Sequence, residues 1–420
     1  MSLTGSSVYS GRAASSAEQG ASLAFGPDGT QRPWLLVAGG FHRNGGMDKA
    51  NLAVAQYLID RGTPVHIVCH SIDASLAAHN LVTATVVKRP LGSFFLGRPL
   101  LDRIGRKAAK RLLARWPGAK VVVNGDNCLW PGINWVHYVH QAWSPKAREG
   151  PFLFRIKIQL ARQIMAKRER HAVRLAQVLI TNSNRTSLDL VKYLGANPAL
   201  VRTVYLGAES EWGPVTDVER AAARKSLNLA ADAEVVVFIG SLGFDHRKGF
   251  DVLLEAWRKL CANPGWRAQL LVAGEGNAAK FWRERITEYA LDQRVTILGF
   301  SNRIPELLAA ADVLVSPVRY EAYGLNVQEA ISRGIPAMVS AQAGVAERYG
   351  DELAPMLLPD PEDIPDLVAR LEQWHANKEA WARRFQRFGE NLRSYGWKDM
   401  ARQFVAVAEG EDRVEGSRGR

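Results

Sequence analysis

Residues 311–340 read ADVLVSPVRYEAYGLNVQEAISRGIPAMVS, and this stretch constrains the fold more than any other part of the chain. Ala311 to Pro317 is an apolar run of strand length. Tyr323-Gly324-Leu325-Asn326 is a turn that opens a helix. Arg333-Gly334-Ile335-Pro336 stops that helix, and Ala337 to Ser340 begins a second strand. The same strand–helix alternation recurs in both halves of the chain, which predicts an α/β protein with parallel sheets. In open sheets of this kind, ligands sit off the carboxyl ends of the strands. Two carboxylates, Glu321 and Glu329, lie at that end with seven residues between them.

A helix starting near Gly324 points unpaired backbone N–H groups and a positive dipole end at whatever lies before it, which suits a phosphate. Gly324 has no Cβ, so a ligand can approach its backbone. Glu329 falls about a turn and a half into the helix. From there it can reach a sugar diol of a ligand whose phosphates rest on the helix start, while Glu321 meets the ligand's other end. The plainer reading is a capping acid and a solvated helix glutamate. The flanking strands, the Tyr-Gly-Leu turn and the Arg-Gly-Ile-Pro stop favour the first.

With those residues in view, the segment resembles the E-x7-E signature of retaining, family-4-like glycosyltransferases of the GT-B fold. The resemblance implies two Rossmann-like domains facing a cleft, with the C-terminal helix crossing back to the first domain. It implies that Glu329 binds the nucleotide ribose and that Glu321 lies near the donor sugar hydroxyls. Gly324 and Leu325 would offer amides to the diphosphate, and Tyr323 of the same turn belongs to that donor site.

Elsewhere the chain follows the same order. Trp34 to Ala38 is a strand, Gly39 to Lys49 a glycine-rich loop, Ala50 to Arg61 a helix with Leu52, Ala55, Leu58 and Ile59 on one side, and Val65 to Cys69 the next strand. A glycine-rich loop at a helix start cradles anions. This one lacks the G-x-G-x-x-G of a dinucleotide-binding oxidoreductase and the Lys-Ser/Thr of a P-loop. Gly45 and Gly46 resemble the family's GG loop, which closes over donor phosphates or acceptor; a plain turn is the alternative. Trp135 to Gln141 reads as a strand. His140 at its end matches the position where a histidine lies beside the donor anomeric carbon, unless it only bonds a neighbour. His137 and His140 lack the partners and spacing of a metal site.

Gln177 to Ser183 and Val201 to Gly207 read as strands around a helix from Arg185 to Leu194. Residues 208–220 read as a linker. In the second half, Val235 to Gly240 is a buried strand and Phe250 to Leu260 an amphipathic helix. The intervening Lys248-Gly249 resembles the family's Lys-Gly pair, whose lysine neutralises the donor diphosphate. Ser241 stands where many relatives have an arginine, and His246 or Arg247 is expected to substitute. After the strands Leu270–Ala273 and Val295–Phe300, backbone groups at Gly299 and Phe300 are expected to hold the base, which leaves uracil and guanine both open. Gly344 to Glu347 starts another helix, and Trp381 to Ala408 reads as helical. The expected organisation is a tail over 1–30, an acceptor-side domain over 31–207, a donor-binding domain over 221–390, a crossover helix over 391–408 and a tail over 409–420.

A chain of 420 residues, 47% of them hydrophobic, accommodates two such cores. No apolar run reaches membrane-span length; the longest, Ile304 to Val318, is interrupted by Glu306 and Asp312. The first residues lack the apolar segment of a secretion signal. Cys69, Cys128 and Cys261 are scattered, which fits a reducing cytoplasm and no zinc site. Charge is uneven. The whole chain carries +12, whereas 88–174 holds nineteen Lys/Arg against Asp102, Asp126, Glu149 and Glu169, a net of +15. Arg103 to Arg115, with an apolar stripe of Leu100, Ile104, Ala108, Leu112 and Leu113, and Arg155 to Arg174 are basic helices. Each either lies on an anionic membrane or presents a solvated basic face.

The expected reaction moves a hexose from a UDP- or GDP-sugar to a hydroxyl of a saccharide or lipid-linked acceptor, with retention. His140, Lys248 and Glu321 are the expected catalytic residues, and Arg247, Lys248 and the Gly324 helix start would stabilise the leaving diphosphate without a metal or other cofactor. The basic stretch leads to the expectation of an anionic or lipid-linked acceptor, in cell-envelope polysaccharide or glycolipid synthesis at the inner membrane face. A sugar-nucleotide epimerase or sugar phosphorylase of the same fold is the alternative. A basic nucleic-acid-binding protein is a rival of another class, for which no module signature is present.

Overall fold

The Val-, Ile- and Leu-rich runs form short strands buried on both faces, as parallel strands covered by helices must be. The computed structural model describes residues 32–43, 45–144 and 152–411. The tail expected over 1–30 and residues 412–420 lie outside them. The chain divides into two units, Met1–Ile133 and Asn134–Arg420.

In the first unit, the parallel strands run in the order Val82–Val86, Val65–Cys69, Trp34–Val37, Lys120–Asn124. Helix Gly46–Asp60 starts four residues earlier than its periodicity suggests, capped by Gly45. It buries Asn51, Val54, Ala55 and Leu58, whereas Leu52 is half-buried. Asn51 donates to the Gly40 carbonyl (3.0 Å) and accepts from Asn124 (2.9 Å), joining loop, helix and strand. Helix Phe94–Arg115 bears out the expected apolar stripe in part: Leu112 is buried, and Ile104, Ala108 and Leu113 pack half-buried on the same core. Leu101, Gly105, Ala109 and Leu112 are buried, and Leu100 is exposed. Gly105 sets this register. A Cβ there would come within 2.9 Å of Val37 Cγ1 and 3.1 Å of Cys128 Sγ. A residue with no side chain adds nothing to a hydrophobic pattern, so the stripe left this buried position out.

The second unit holds a six-stranded parallel sheet in the order Val295–Gly299, Gln269–Ala273, Val235–Ile239, Val313–Ser316, Ala337–Ser340, Leu357–Leu358. The chain builds one side from Val235–Ile239 outwards, then returns to build the other from Val313–Ser316. The carboxyl ends of those two neighbours are the topological switch point, where open sheets bind ligands. Val178–Thr181 and Val201–Thr203 form a parallel pair.

Several expected elements change shape. The strand before His140 ends at Val136, and His140 opens a 3-10 turn, so it is not a strand-end residue. The linker 208–220 runs into helix Asp217–Ser226, which Thr216 and Glu219 cap reciprocally. Gly344–Arg348 is a 3-10 turn. Trp381 to Ala408 is interrupted: helices Lys378–Arg393 and Trp397–Glu409 flank Gly396, which bridges to Ala208. Phe404 of the last helix stacks 4.2 Å from Trp135, a residue far upstream in the sequence. Among the described residues, no helix is long and apolar enough to cross a membrane.

Candidate active site

Lys248 and Gly249 lie in the loop after strand Val235–Ile239, and Gly249 caps helix Phe250–Cys261 at φ 72°. A Cβ on Gly249 would overlap the carbonyl oxygen of Pro317, which follows the neighbouring strand. Only glycine lets the two strand-end loops touch. Arg319 fastens them further. Its N–H donates to the Arg247 carbonyl (2.9 Å) and its guanidinium to the His246 carbonyl (2.6 Å). The same guanidinium grips both Asp251 oxygens at 2.7 Å and Glu362 at 2.7 Å. Burial pushes the Asp251 carboxyl up, but bonds and charge from His246 and Arg319 outweigh it and hold it at about 2. His246 also meets Trp282 edge-on at 5.5 Å.

This arrangement presents Lys248 Nζ to the Glu321 carboxylate as an ion pair, with each side chain only 16% exposed. Burial raises the Glu321 pKa; the charges of Lys248 and Arg247, with hydrogen bonds from Lys248 and the Tyr323 N–H, bring it below the ordinary carboxylate range. Glu321 is therefore ionised at neutral pH. Its loop is held from the other side as well. Ser183 and Thr186 hydroxyls donate to the Ala322 carbonyl (2.6 and 3.2 Å), and the Gly344 and Val345 amides donate to the Glu321 and Tyr323 carbonyls (3.2 and 2.7 Å).

Gly324, at φ 109°, caps helix Leu325–Ser332. Asn326 ties the helix start to the end of strand Val235–Ile239 by donating to the Ile239 carbonyl at 3.0 Å. The first intrahelical backbone donors are Val327 and Gln328, both to the Gly324 carbonyl. The Leu325 and Asn326 amides precede them, at the end where a helix binds anions. Glu329 is half-buried in the helix. The Tyr323 side chain does not face this site. It is buried, its hydroxyl bonds Gln328, and Gln328 in turn donates to the Gly207 carbonyl at 2.8 Å. Tyr323 meets the site through its backbone amide.

Tyr138 joins His140 to this cluster. Its ring lies 4.7 Å edge-on from His140 and 4.9 Å from Tyr320, with the Arg247 guanidinium 5.7 Å over it. Burial pushes the Tyr138 hydroxyl up to about 12, so it stays protonated. Tyr320, next to Glu321, accepts from the Val139 N–H (3.1 Å) and bonds Asp189. His140 Nδ1 and its backbone N–H both lie 2.8 Å from Glu169 Oε1. His137 is buried against Trp135, and burial lowers its pKa to about 3. No metal-holding group of three His, Cys, Asp or Glu occurs among the described residues.

Of the two expected substitutes for an arginine at the exposed Ser241, Arg247 sits beside Glu321 and Tyr138, while His246 is tied to Asp251 and Trp282. Gly299, at φ 77°, ends strand Val295–Gly299 beside Gly274, and Phe300 is exposed. Strand Gln269–Ala273 separates that end from Val235–Ile239. In the first unit, Gly45 at φ 91° and Gly46 open a helix whose Asp48 lies 3.4 Å from His42.

Tyr138, Glu169, Asp251 and Arg319 escaped the sequence reading. One signal was available for Glu169. Of the acids in the basic stretch, Asp102, Asp126 and Glu169 are all buried, Asp126 against Arg98 and Asp102 on the Leu129 amide. An isolated acid in a basic surround is a candidate for a structural bond.

Residues 44–212 match the family described as Glycosyltransferase Family 4, and residues 219–394 match Glycosyl transferases group 1. Mannosylfructose-phosphate synthase of Agrobacterium fabrum is 27% identical over 214 residues, 48% of this chain and 46% of the relative. D-inositol 3-phosphate glycosyltransferase of Saccharomonospora viridis is 32% identical over 215 residues, 48% of this chain and 49% of the relative. The chain thus spans about half the length of these curated relatives. Among solved structures, sucrose-phosphate synthase from Thermosynechococcus elongatus superposes with a TM-score of 0.72 at 20% identity, over 91% of this chain and all of the other. Anabaena HepE in complex with UDP and glucose superposes at 0.69 and 17% identity, over 90% of this chain and 99% of the other. Two consecutive family matches, laid on two Rossmann-like parallel-sheet halves, place the chain among the family-4-like glycosyltransferases of the GT-B fold.

Proposed function

We propose that this protein transfers a hexose from a UDP- or GDP-sugar to a hydroxyl of a saccharide or lipid-linked acceptor, with retention and without a metal. One observation carries the reading: the largely buried Lys248–Glu321 pair, with Arg247 beside it, stands at the switch point next to the helix start at Gly324. As the bond to the donor sugar breaks, negative charge builds on the diphosphate. Lys248, Arg247 and the Leu325 and Asn326 amides meet that charge without reorganising. Glu329 bonds the ribose, Glu321 orients the sugar, and His140 contacts a sugar hydroxyl near the reacting carbon. The leaving phosphate takes the acceptor proton, so no second catalytic carboxylate is needed. The names of the relatives, a mannosylfructose-phosphate synthase and a D-inositol 3-phosphate glycosyltransferase, and the UDP and glucose in complex with HepE support a sugar-nucleotide chemistry.

A thermal-shift panel of UDP, GDP, ADP and NAD tests the donor class, since a ligand of the folded state raises apparent stability. A shift with UDP or GDP alone supports the reading; a shift with NAD alone refutes it. Turnover that persists in EDTA, and an NMR spectrum showing the donor's anomeric configuration in the product, test metal independence and retention.

An exposed apolar stripe supports, as part of this proposal, contact with an anionic membrane. Helix Phe152–Leu175 exposes Phe152 (70%), Ile156, Leu160 (58%) and Ile164 at four-residue spacing, beside exposed Arg155, Lys167, Arg170 and Arg174. A basic helix with such a stripe is suited to a lipid interface. This suits a lipid-linked envelope precursor at the inner membrane face. Failure to sediment with anionic liposomes at low salt would remove this part of the proposal.

A further inference from the structure

Glu169 is the sole acid of helix Phe152–Leu175, and it is buried while the helix's Arg155, Lys167, Arg170 and Arg174 are exposed. A buried carboxylate is costly unless it is hydrogen-bonded. Its Oε1 accepts from the His140 backbone N–H and lies 2.8 Å from His140 Nδ1, so one oxygen grips both the backbone and the ring of the same residue. Because Oε1 accepts the backbone N–H, it faces the ring as an acceptor too, which places the proton on Nδ1. The free imidazole prefers the opposite tautomer. The ring, 38% exposed, is left with Nε2 as its remaining nitrogen. Around it, Tyr138 packs edge-on, and Tyr320 holds the preceding Val139 amide one residue before Glu321.

We propose that Glu169 is a positioning residue that locks His140 as the Nδ1–H tautomer, leaving Nε2 as a hydrogen-bond acceptor for a donor-sugar hydroxyl. The last clause rests on the function proposed above; the lock itself does not. For metal-binding histidines, partners that fix the second ring nitrogen matter about 10–100-fold, and the lower end of that scale is taken for His140.

Two measurements test this. Long-range proton–nitrogen NMR on histidine-labelled protein reads each tautomer. The His140 signal is assigned by its loss in His140→Ala, and His70, whose Nδ1 bonds the Val87 carbonyl at 2.8 Å, is an internal Nδ1–H reference. The expected result is Nδ1–H at His140 in wild type and in Glu169→Gln, whose amide oxygen still accepts, and Nε2–H in Glu169→Leu. Nε2–H in wild type, or Nδ1–H retained in Glu169→Leu, overturns the lock; the wild-type spectrum decides even if Glu169→Leu fails to fold. In the second measurement, Glu169→Leu lowers sugar-nucleotide turnover at least about tenfold and Glu169→Gln far less. UDP affinity, which reports the integrity of the donor site, stays within about twofold of wild type. A switched tautomer with unchanged turnover overturns the positioning role. A wild type that turns over no sugar nucleotide, with the tautomer as expected, refutes the function and leaves the lock standing.

Discussion

Removing the charge of Lys248 tests the centre of the site. In Lys248→Met the side-chain volume stays similar, but Glu321 loses its partner while remaining largely buried. Breaking a buried ion pair from one side costs about 3–5 kcal/mol. Arg247 still faces Glu321, and both side chains keep 16% exposure, so the expected loss is lower, about 2–3 kcal/mol. The double variant Lys248→Met/Glu321→Gln removes both charges and should recover most of it, with a coupling of at least about 1.5 kcal/mol. The pH dependence has a definite sign. The folded Glu321 pKa lies below its unfolded value, so its stabilisation is present above the unfolded pKa and is lost as pH falls through the folded pKa. Without Lys248, burial dominates and that stabilisation disappears. The penalty of Lys248→Met is therefore larger at pH 7 than at pH 4.5. Urea unfolding followed by tryptophan fluorescence at both pH values, with circular dichroism to confirm a single transition, measures it. Turnover should fall at least about a hundredfold in the single variant and stay low in the double, separating stability from catalysis. An equal penalty at both pH values, or a double variant as unstable as the sum of the singles, would refute the pairing.

Two further perturbations probe the frame around the pair. Gly249→Ala forces an L-residue into φ 72° and drives its Cβ into the Pro317 carbonyl, so a loss of at least about 2 kcal/mol is expected, read as a lowered urea midpoint; a midpoint equal to wild type would show that the two loops do not need to touch. Asp251→Asn removes a carboxylate held at about 2 against an ordinary 3.8, worth roughly 2.5 kcal/mol at neutral pH. Because that stabilisation fades as pH falls from about 5 towards 2, wild type and variant should converge in stability between pH 5 and pH 3; parallel curves would contradict the Arg319 clamp.

Local patterns account for what was legible in advance. Strand–helix alternation and the Arg333–Pro336 stop follow from apolar periodicity and turn chemistry within short windows, and they pointed to parallel sheets with ligands at the strands' carboxyl ends; the Lys248-Gly249 and Glu321 loops stood out by their resemblance to a family's motifs. Tertiary structure decided which side chains meet there. Tyr323 stands in the turn of the motif yet turns inward to Gln328, because its neighbours pin the backbone around it. Glu169 and His140 are 29 residues apart, and Arg319 and Asp251 are 68 apart. A glutamate bonded in the interior and one dissolved in water are the same letter, and only the packed chain, by removing the water, makes the first seek its histidine.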